Sequence, residues 1–262
     1  MSTPSLKERL ASGKVVHGAF MFMPSPAAVE LLAAAGFDFV IIDQEHSPKS
    51  WETVENMLRA AEACGMAAVI RVQRNEPGAI LHALEVGAHG VVVPFVRSVE
   101  DVRAARAAML YPPHGVRGLC TQTRTAGYGI HRAGFADYAG RRAQELVLIG
   151  LIEDPDGIRN IGSIAAEENG LDAMLIGRGD LAATMGRLGD TNNADLTVAV
   201  QGAIATTLAA SAGRVPAGIT IFDVAECPPW RDHGCNLFVA ASEANMFLSA
   251  AQRWISQGCT PL

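Results

Sequence analysis

The chain has 262 residues, 49% of them hydrophobic and 18% charged, and its formal net charge is −6. This length and composition are typical of a globular protein with a full core, built either as two ordinary domains or as one α/β barrel. The acidic balance and the lack of a basic run argue against nucleic acid and anionic membranes as partners.

The termini and cysteines indicate the compartment. The opening sequence, MSTPSLKERLASGK, is polar and lacks the apolar stretch of a signal peptide. No apolar segment reaches the ~18 residues that a membrane-spanning helix needs. Five cysteines are scattered without a CxxC pair, at positions 64, 120, 227, 235 and 259. These features predict a reduced, cytoplasmic protein rather than a disulfide framework or a zinc site.

Strand-like and helix-like patterns alternate along the chain. Short apolar runs predict strands, and apolar residues at helical spacing, often after Pro and before Gly, predict helices. The first half reads, in order, as strand Val15–Phe20, helix Pro26–Ala35, strand Phe37–Ile42, helix Trp51–Cys64, strand Ala67–Val72, a helix capped by Asn75 that runs to Val86, strand Gly90–Val93 and helix Val99–Leu110.

The alternation breaks between Tyr111 and about Tyr138, where Gly, Pro, Arg and Thr dominate. A loop this long inside a compact domain is usually functional or flexible. The alternation then resumes with strand Leu146–Ile152, helix Ile158–Glu168, strand Ala173–Ile176, helix Leu196–Ala210, strand Pro216–Ile221, helix Val224–Asp232, strand Asn236–Ala240 and helix Glu243–Gln257.

Eight strand–helix units in about 260 residues favour a closed (β/α)8 TIM barrel over an open doubly wound sheet. The two usual nucleotide-binding signals of the open sheet are missing, since there is neither GxGxxG after the first strand nor GxxxxGK[ST] anywhere. We therefore expect a single α/β barrel domain over residues 1–262.

Polar side chains collect where the predicted strands end. They are Asp43, Glu45 and His46 after strand two, Arg71 in strand three, Glu153 after strand five and Asp180 after strand six. In a barrel these points converge on one face, where active sites lie. Each also has a structural explanation: Arg71 could pair with a neighbouring helix, Glu153 could favour a helix start, and Asp180 could be an N-cap.

The chemistry of this set is consistent. Glu153 and Asp180 offer oxygen ligands to a hard divalent cation such as Mg²⁺ or Mn²⁺, and leave open positions for a chelating substrate. His46 beside Asp43 suits a general base with an acid partner. Arg71 supplies a fixed positive charge for a developing oxyanion. Together they predict proton abstraction next to a carbonyl, with a metal holding the enolate.

Six segments, in this order, carry a resemblance to a known family. They are AGFDFVIIDQEHSP (35–48), the strand that contains Arg71, LEVGAHGVVVPFV (84–96), YPPHGVRG (111–118), LIED (151–154) and DAMLIGRGDLAATMG (172–186). The chain resembles the HpcH/HpaI family of metal-dependent (class II) pyruvate aldolases, which cleave 4-hydroxy-2-oxo acids. The resemblance implies a barrel that cleaves such an acid reversibly to pyruvate, or an analogue, and an aldehyde.

The resemblance also implies roles for individual residues. Mg²⁺, Mn²⁺ or Co²⁺ would bind Glu153 and Asp180, and pyruvate would chelate this ion. Arg71 would touch the keto oxygen, His46, oriented by Asp43, would serve proton transfers through water, and Glu45 would support these groups. Backbone amides around Gly177, Arg178 and Gly179 would hold the pyruvate carboxylate.

The implied assembly is a homotrimer or homohexamer, often with the last helix exchanged between subunits. Glu85 matches an acidic position that reaches a neighbouring active site in the family. Two departures stand out: Leu151 replaces a frequent Gln, and Arg178 lies in Gly-Arg-Gly-Asp-Leu where many members read Gly-Pro-Ala-Asp-Leu. Arg178 either favours an anionic or hydroxylated acceptor or forms a surface salt bridge. The segment Thr121–Tyr138 differs most and is expected to set the choice of aldehyde.

Three alternatives stand beside this reading. A class I aldolase needs a desolvated Lys nucleophile, and the only lysines, Lys7, Lys14 and Lys49, lie outside the predicted strands. A citryl- or malyl-CoA-type lyase on the same barrel would need an adenine-nucleotide pocket, for which no basic or aromatic cluster is seen. A barrel that binds an oxo acid without turnover fits the fold equally well, but the full set of polar residues at the strand ends argues against it.

Overall fold

The computed structural model describes residues 4–258, and within them eight parallel strands close into a barrel in sequence order. The strands are β1 (Val16–Met21), β2 (Phe39–Asp43), β3 (Ala67–Arg71), β4 (Gly90–Val93), β5 (Val147–Ile152), β6 (Ala173–Ile176), β7 (Ala217–Ile221) and β8 (Leu237–Ala240). Strand β8 closes the barrel by pairing with β1, with Val16 opposite Leu237. The predicted (β/α)8 TIM barrel is confirmed.

Helices connect the strands on the outside of the barrel. They are α1 (Leu6–Ala11), α2 (Pro26–Ala35), α3 (Trp51–Ala63), α4 (Pro77–Glu85), α5 (Val99–Met109), α6 (Phe135–Glu145), α7 (Pro155–Ala166), α8 (Arg178–Thr184), α9 (Ala194–Ala210), α10 (Cys227–Asp232) and α11 (Glu243–Gly258). The predicted helices are all present with small shifts of their ends, because the Pro, Ser and Gly punctuation that the sequence shows is the punctuation the backbone uses.

Two details of the prediction were wrong. Asn75 does not cap α4; Glu76 is the N-cap residue, and the Asn75 side chain instead donates to the carbonyl of Asp101 at 2.9 Å. The stretch expected to be irregular up to Tyr138 contains the start of α6, which follows Gly134 without a side-chain cap. With neither a cap nor a clear apolar stripe, α6 gives almost no local signal.

Helix α1 was also not predicted, and it closes the amino-terminal end of the barrel. Ser5 and Glu8 form a capping box, and the two leucines of the helix, Leu6 and Leu10, pack into the apolar cluster inside the barrel. Lys7 pairs with Asp172 at 3.2 Å, just before β6. The barrel interior is therefore sealed at this end.

The segment between Tyr111 and Tyr138 lies at this same amino-terminal end. The Thr125 amide donates to the Glu85 carbonyl at 3.2 Å, and Arg124 donates to the Val86 carbonyl at 3.0 Å. Because each helix runs back against its strand, the end of α4 is opposite to the carboxyl ends of the strands. The segment is thus remote from the strand carboxyl ends of its own barrel.

The cysteines of the described residues are free thiols, and the helices are not of the membrane-spanning type. Cys64 and Cys120 are exposed, Cys227 is half-buried and Cys235 is buried, all as free thiols, while Cys259 lies outside the described residues. From residue 4 to residue 258, no helix combines the length and apolarity needed to cross a membrane.

Candidate active site

The polar residues predicted to meet do converge at the carboxyl ends of the strands. Asp43 ends β2, Arg71 ends β3 and Glu153 follows β5. The charges that act on the Glu153 carboxyl group come from Asp180, Glu45 and Arg71, so these side chains lie within electrostatic range of one another. The fold therefore builds one charged face from residues far apart in sequence.

Arg71 is held by the two acidic residues that follow β2. The sheet register places Asp43 beside Arg71. Arg71 Nε donates to Asp43 Oδ1 at 2.6 Å, and its Nη1 lies 3.1 Å from Glu45 Oε2. The guanidinium also lies over the Phe20 ring, 4.6 Å from its centroid. These contacts fix a buried cation at the strand ends, and within the described residues no acceptor takes the hydrogens of its Nη2.

Asp43 organises the turn that carries His46, but not through the imidazole. Asp43 is fully buried, and its carboxylate accepts the backbone amides of Glu45 at 3.2 Å and His46 at 3.0 Å. The His46 side chain is 55% exposed, and its Nε2 lies 3.6 Å from Glu45 Oε2. The structure thus differs from the expected pairing of Asp43 with the ring, because Arg71 and the two amides already occupy that carboxylate.

Lys49 also belongs to this turn, although it was not among the predicted site residues. Its side chain is buried, its Nζ donates to the Asp43 carbonyl at 2.9 Å, and it also bonds Ser47 Oγ. Burial lowers the pKa of the Lys49 ammonium, and the nearby Asp43 carboxylate opposes this shift. The available signal was its place directly after the strand-end motif. Because the ammonium is bonded to the loop, it stabilises the turn.

Glu153 is the most perturbed carboxyl group on this face. Its Oε1 accepts the backbone amide of Phe95 at 2.9 Å, and Phe95 has a left-handed backbone with φ of 50°. Burial raises the pKa of Glu153 to about 8, the Phe95 hydrogen bond opposes this shift, and the negative charges of Asp180 and Glu45 add to it. A cation placed beside Glu153 would relieve that cost.

The turn after β6 is built closely around Glu153. A Cβ atom at Gly177 would lie 2.8 Å from Glu153 Oε2 and 3.2 Å from Glu153 Cβ, so only glycine fits there without displacement. Gly179 is exposed, and a Cβ there would meet nothing within 4 Å. Asp180 follows in the first turn of α8, where Gly177 is the N-cap residue. Asp180 is therefore not the helix cap.

These donors fit a divalent cation. Glu153 is buried, and the negative charge of Asp180 acts on its carboxyl group, whereas Glu45 Oε2 is already paired with Arg71 Nη1 at 3.1 Å. Carboxylate oxygens are the ligands that Mg²⁺ and Mn²⁺ prefer, so Glu153 and Asp180, rather than Glu45, fit such an ion. The part of the chain that the structure describes holds no cluster of three or more His, Cys, Asp or Glu side chains suited to a metal. A site of two protein ligands leaves positions for water or substrate.

Arg178 and Glu85, two further predicted substrate contacts, each form an ion pair within the chain. Arg178 is 2% exposed and pairs with Glu226, so its charge is neither at the surface nor free. Glu85 ends α4, at the opposite end of the barrel, where its Oε1 accepts from Arg117 Nε at 3.2 Å. Two cavities, of about 920 and 450 Å³, also lie at that amino-terminal end rather than at the charged face.

Comparison with known proteins gives a consistent set of matches. Residues 17–235 match the family model described as HpcH/HpaI aldolase/citrate lyase. A 5-keto-4-deoxy-D-glucarate aldolase from Shigella sonnei (strain Ss046) is 33% identical over 247 residues, covering 94% of this chain and 93% of the relative.

Solved structures agree with the sequence matches. An HpcH/HpaI aldolase/citrate lyase family protein from Burkholderia cenocepacia J2315 is 30% identical, with a TM-score of 0.90 over 97% of this chain and 99% of the other. The citrate synthase SbnG is 29% identical, with a TM-score of 0.81 over 97% of this chain and 98% of the other. The same barrel thus carries proteins named for two different reactions.

Proposed function

Because the chain belongs to the HpcH/HpaI aldolase/citrate lyase family, we propose that it reversibly cleaves a 4-hydroxy-2-oxo acid to pyruvate, or a pyruvate analogue, and an aldehyde. Membership itself confirms the expectation of a carbon–carbon lyase of the aldolase type. The observation that carries the finer proposal is that Glu153, Asp180 and Arg71 share one face of the barrel. The 5-keto-4-deoxy-D-glucarate aldolase among the relatives supports a substrate derived from a sugar acid.

Glu153 and Asp180 are the residues that would hold the divalent cation, Mg²⁺, Mn²⁺ or Co²⁺. When bound, such an ion polarises the keto group of the oxo acid and stabilises the negative charge that develops there. Glu153 is suited to this role because a positive charge offsets the burial that raises its pKa to about 8. Of the three amides expected to bind the substrate carboxylate, that of Gly177 already donates to the Ile152 carbonyl at 3.0 Å and that of Arg178 to Thr220 Oγ1 at 3.5 Å, so the Gly179 amide is the one that would bind it.

Arg71 and His46 carry out the steps that the protein itself performs. Arg71 is already fixed by Asp43 and Glu45, so it donates to the keto oxygen without reorganising. His46, which is exposed, accepts the proton of the 4-hydroxyl group through water as the C3–C4 bond breaks. The electron pair of that bond passes to the enolate of pyruvate, and a returned proton at C3 completes the cleavage. Asp43 keeps Arg71 and the His46 backbone in place.

The main test of this function is metal binding by paired variants. Glu153→Gln keeps the shape of the side chain but removes its charge, so it should abolish Mn²⁺ binding in calorimetry together with the aldolase activity. Asp154→Asn is the matched control, because it removes the neighbouring carboxylate charge and its ion pair with Arg97 while asparagine still caps α7. Activity that survives rigorous EDTA treatment, or Mn²⁺ binding by Glu153→Gln, would contradict the metal role.

A second candidate function is supported by the likeness to the citrate synthase SbnG. In that case the same face would serve condensation with a different donor, or cleavage of a citryl- or malyl-CoA-type substrate. Assays with a 4-hydroxy-2-oxo acid and with malyl-CoA separate the two reactions. Exchange of the pyruvate methyl protons for deuterium tests enolate formation directly, and its absence would leave a barrel that binds an oxo acid without turnover.

We further propose that the chain works in the cytoplasm as a homotrimer or homohexamer with the last helix exchanged. Support comes from α11, in which Phe247, Trp254 and Ile255 are each more than 70% exposed. Large apolar side chains grouped in this way usually mark an interface. Glu85 also lies at the end of the barrel opposite its own site, so it would contribute to the site of another copy.

A further inference from the structure

Arg178 is one of the largest fully buried side chains, and its guanidinium contacts the end of β7 and the segment that follows it, up to α10. Its Nε donates to the Thr220 carbonyl at 3.1 Å, a terminal nitrogen pairs with Glu226, and its Cζ lies 5.4 Å from the centroid of the Phe222 ring. The Trp230 ring lies 5.9 Å from the same atom. A charge buried like this persists only when its partners are fixed.

Glu226 connects this cation to the backbone of the β7 turn. Its second oxygen, Oε1, accepts the amides of Phe222 and Asp223, both at 2.9 Å. The Thr220 hydroxyl donates to the Ile176 carbonyl at 3.4 Å, at the end of β6. The turns after β6 and β7 are thus joined by one buried network of side chains.

The same network includes the backbone that carries Asp180. Arg178 opens α8, Gly177 precedes it against Glu153, and Asp180 lies two residues further along the same helical turn. A shift of the Arg178 backbone would therefore move both the Asp180 carboxylate and the surface against which Glu153 rests.

We propose that Arg178 is a positioning residue, whose ion pair with Glu226 fixes the turn that presents Asp180 to the cation. This inference rests on the proposed function, because the turn matters only if Asp180 is a ligand. It replaces a direct contact between Arg178 and the substrate, since Glu226 neutralises the guanidinium.

The test uses calorimetric titration of the full-length protein with Mn²⁺, which is independent of turnover. Arg178→Met and Glu226→Gln should each raise the Kd for Mn²⁺ about tenfold or more, as loss of a group that orients a ligand does. The double variant should be no weaker than the worse single variant, because both changes break the same pair. Arg178→Lys should recover part of the affinity.

Arg106→Met is the matched control, because Arg106 forms its ion pair at the amino-terminal end of β6, whereas Arg178 follows the carboxyl end of β6. Arg106 pairs with Asp172 at 2.7 Å, just before β6, and both side chains are mostly buried. Breaking this pair should lower the melting temperature as Arg178→Met does, but the Kd for Mn²⁺ should stay within about twofold of wild type, as expected for a change remote from the site.

The outcomes distinguish failure of the proposed function from failure of the positioning role alone. Failure of the wild-type protein to bind Mn²⁺ would overturn the proposed function. Wild-type binding with unchanged affinity in Arg178→Met and Glu226→Gln would overturn only the positioning role. Weaker pyruvate binding at unchanged Mn²⁺ affinity would also overturn it, in favour of direct contact with the substrate. If Arg178→Met does not fold, Glu226→Gln decides, because its amide keeps a hydrogen-bonding group in place.

Discussion

Arg71 is held from three sides, and each contact restricts what its guanidinium can do. Asp43 takes Nε, Glu45 lies beside Nη1, and the Phe20 ring covers one face. Such a fixed cation stabilises charge that develops in a reaction because it does not have to reorient. The same contacts mean that its removal would leave Asp43 buried without its cation, which is strongly destabilising.

The first prediction therefore uses the conservative change. Arg71→Lys keeps the charge and the fold but loses the planar fork, so kcat should fall on the order of 10²-fold or more, as for a lost oxyanion donor. Deuterium exchange at the pyruvate methyl group should fall in parallel. Arg74→Ala is the control, because Arg74 lies three residues away and is highly exposed. Near-native turnover in Arg71→Lys would make Arg71 structural.

For single residues, the sequence predicts which side chains lie in the candidate site more readily than it predicts the partners of those side chains. Asp43, Arg71 and Glu153 could be singled out because each ends or follows a buried strand, and a barrel brings such positions together. The partner of Arg178 could not be foreseen, because Glu226 belongs to a separate element. The burial of Lys49 was equally hidden, because it depends on how the loop after β2 folds over Asp43.

In the turn between β6 and α8, the backbone packs directly against Glu153 and leads into Asp180, the two proposed metal ligands. Gly177 is required by the space that Glu153 occupies, whereas Gly179 faces open space. The two glycines are two residues apart, so they provide a natural comparison between steric demand and simple loop flexibility.

The second prediction contrasts these glycines. Gly177→Ala should push the Glu153 carboxylate aside and weaken Mn²⁺ binding about tenfold or more, the range seen when a ligand loses its orientation. Gly179→Ala should leave Mn²⁺ affinity near wild type, since its Cβ meets no protein atom. Calorimetric titration of both variants checks this. Equal effects of the two substitutions would mean that the turn is not packed against Glu153.

The elements that sequence reasoning missed share a physical cause. Helix α1 is short, and its leucines are buried only because a distant barrel end needs to be closed. Helix α6 follows a glycine without a side-chain cap and buries a single residue, Tyr138. Neither helix has the long apolar period that identifies a helix locally. The eight strands, by contrast, are buried on both faces and appear as apolar runs.

For the whole molecule, the position of Glu85 is informative. It ends α4, at the end of the barrel opposite the charged face, and pairs with the buried Arg117. A role in substrate binding then requires a second copy whose charged face meets this surface. Closed assemblies of identical chains provide such repeated contacts.

The third prediction tests this sharing by complementation. Glu85→Gln and Arg71→Lys should each lower activity as pure assemblies, but co-expression should restore it, because some sites then combine a native Arg71 with a native Glu85 from another copy. If the two variant chains mix randomly in equal amounts in a closed symmetric assembly, about a quarter of all sites should have both a native Arg71 and a native Glu85. Light scattering verifies that the variants co-assemble. Co-assembly without recovery of activity would contradict a shared site.

The helix that plugs the barrel also has a kinetic consequence. Because Leu6, Leu10 and the inward side chains of the strands fill the barrel interior, substrates and products reach the charged face only from the carboxyl ends of the strands, and we expect them to bind and leave in order. Pyruvate, bound innermost against the carboxylate pair, would be the last to depart and the first to enter in the synthetic direction. Pyruvate should then be a competitive product inhibitor against the oxo acid. The aldehyde, which leaves first, should not be competitive.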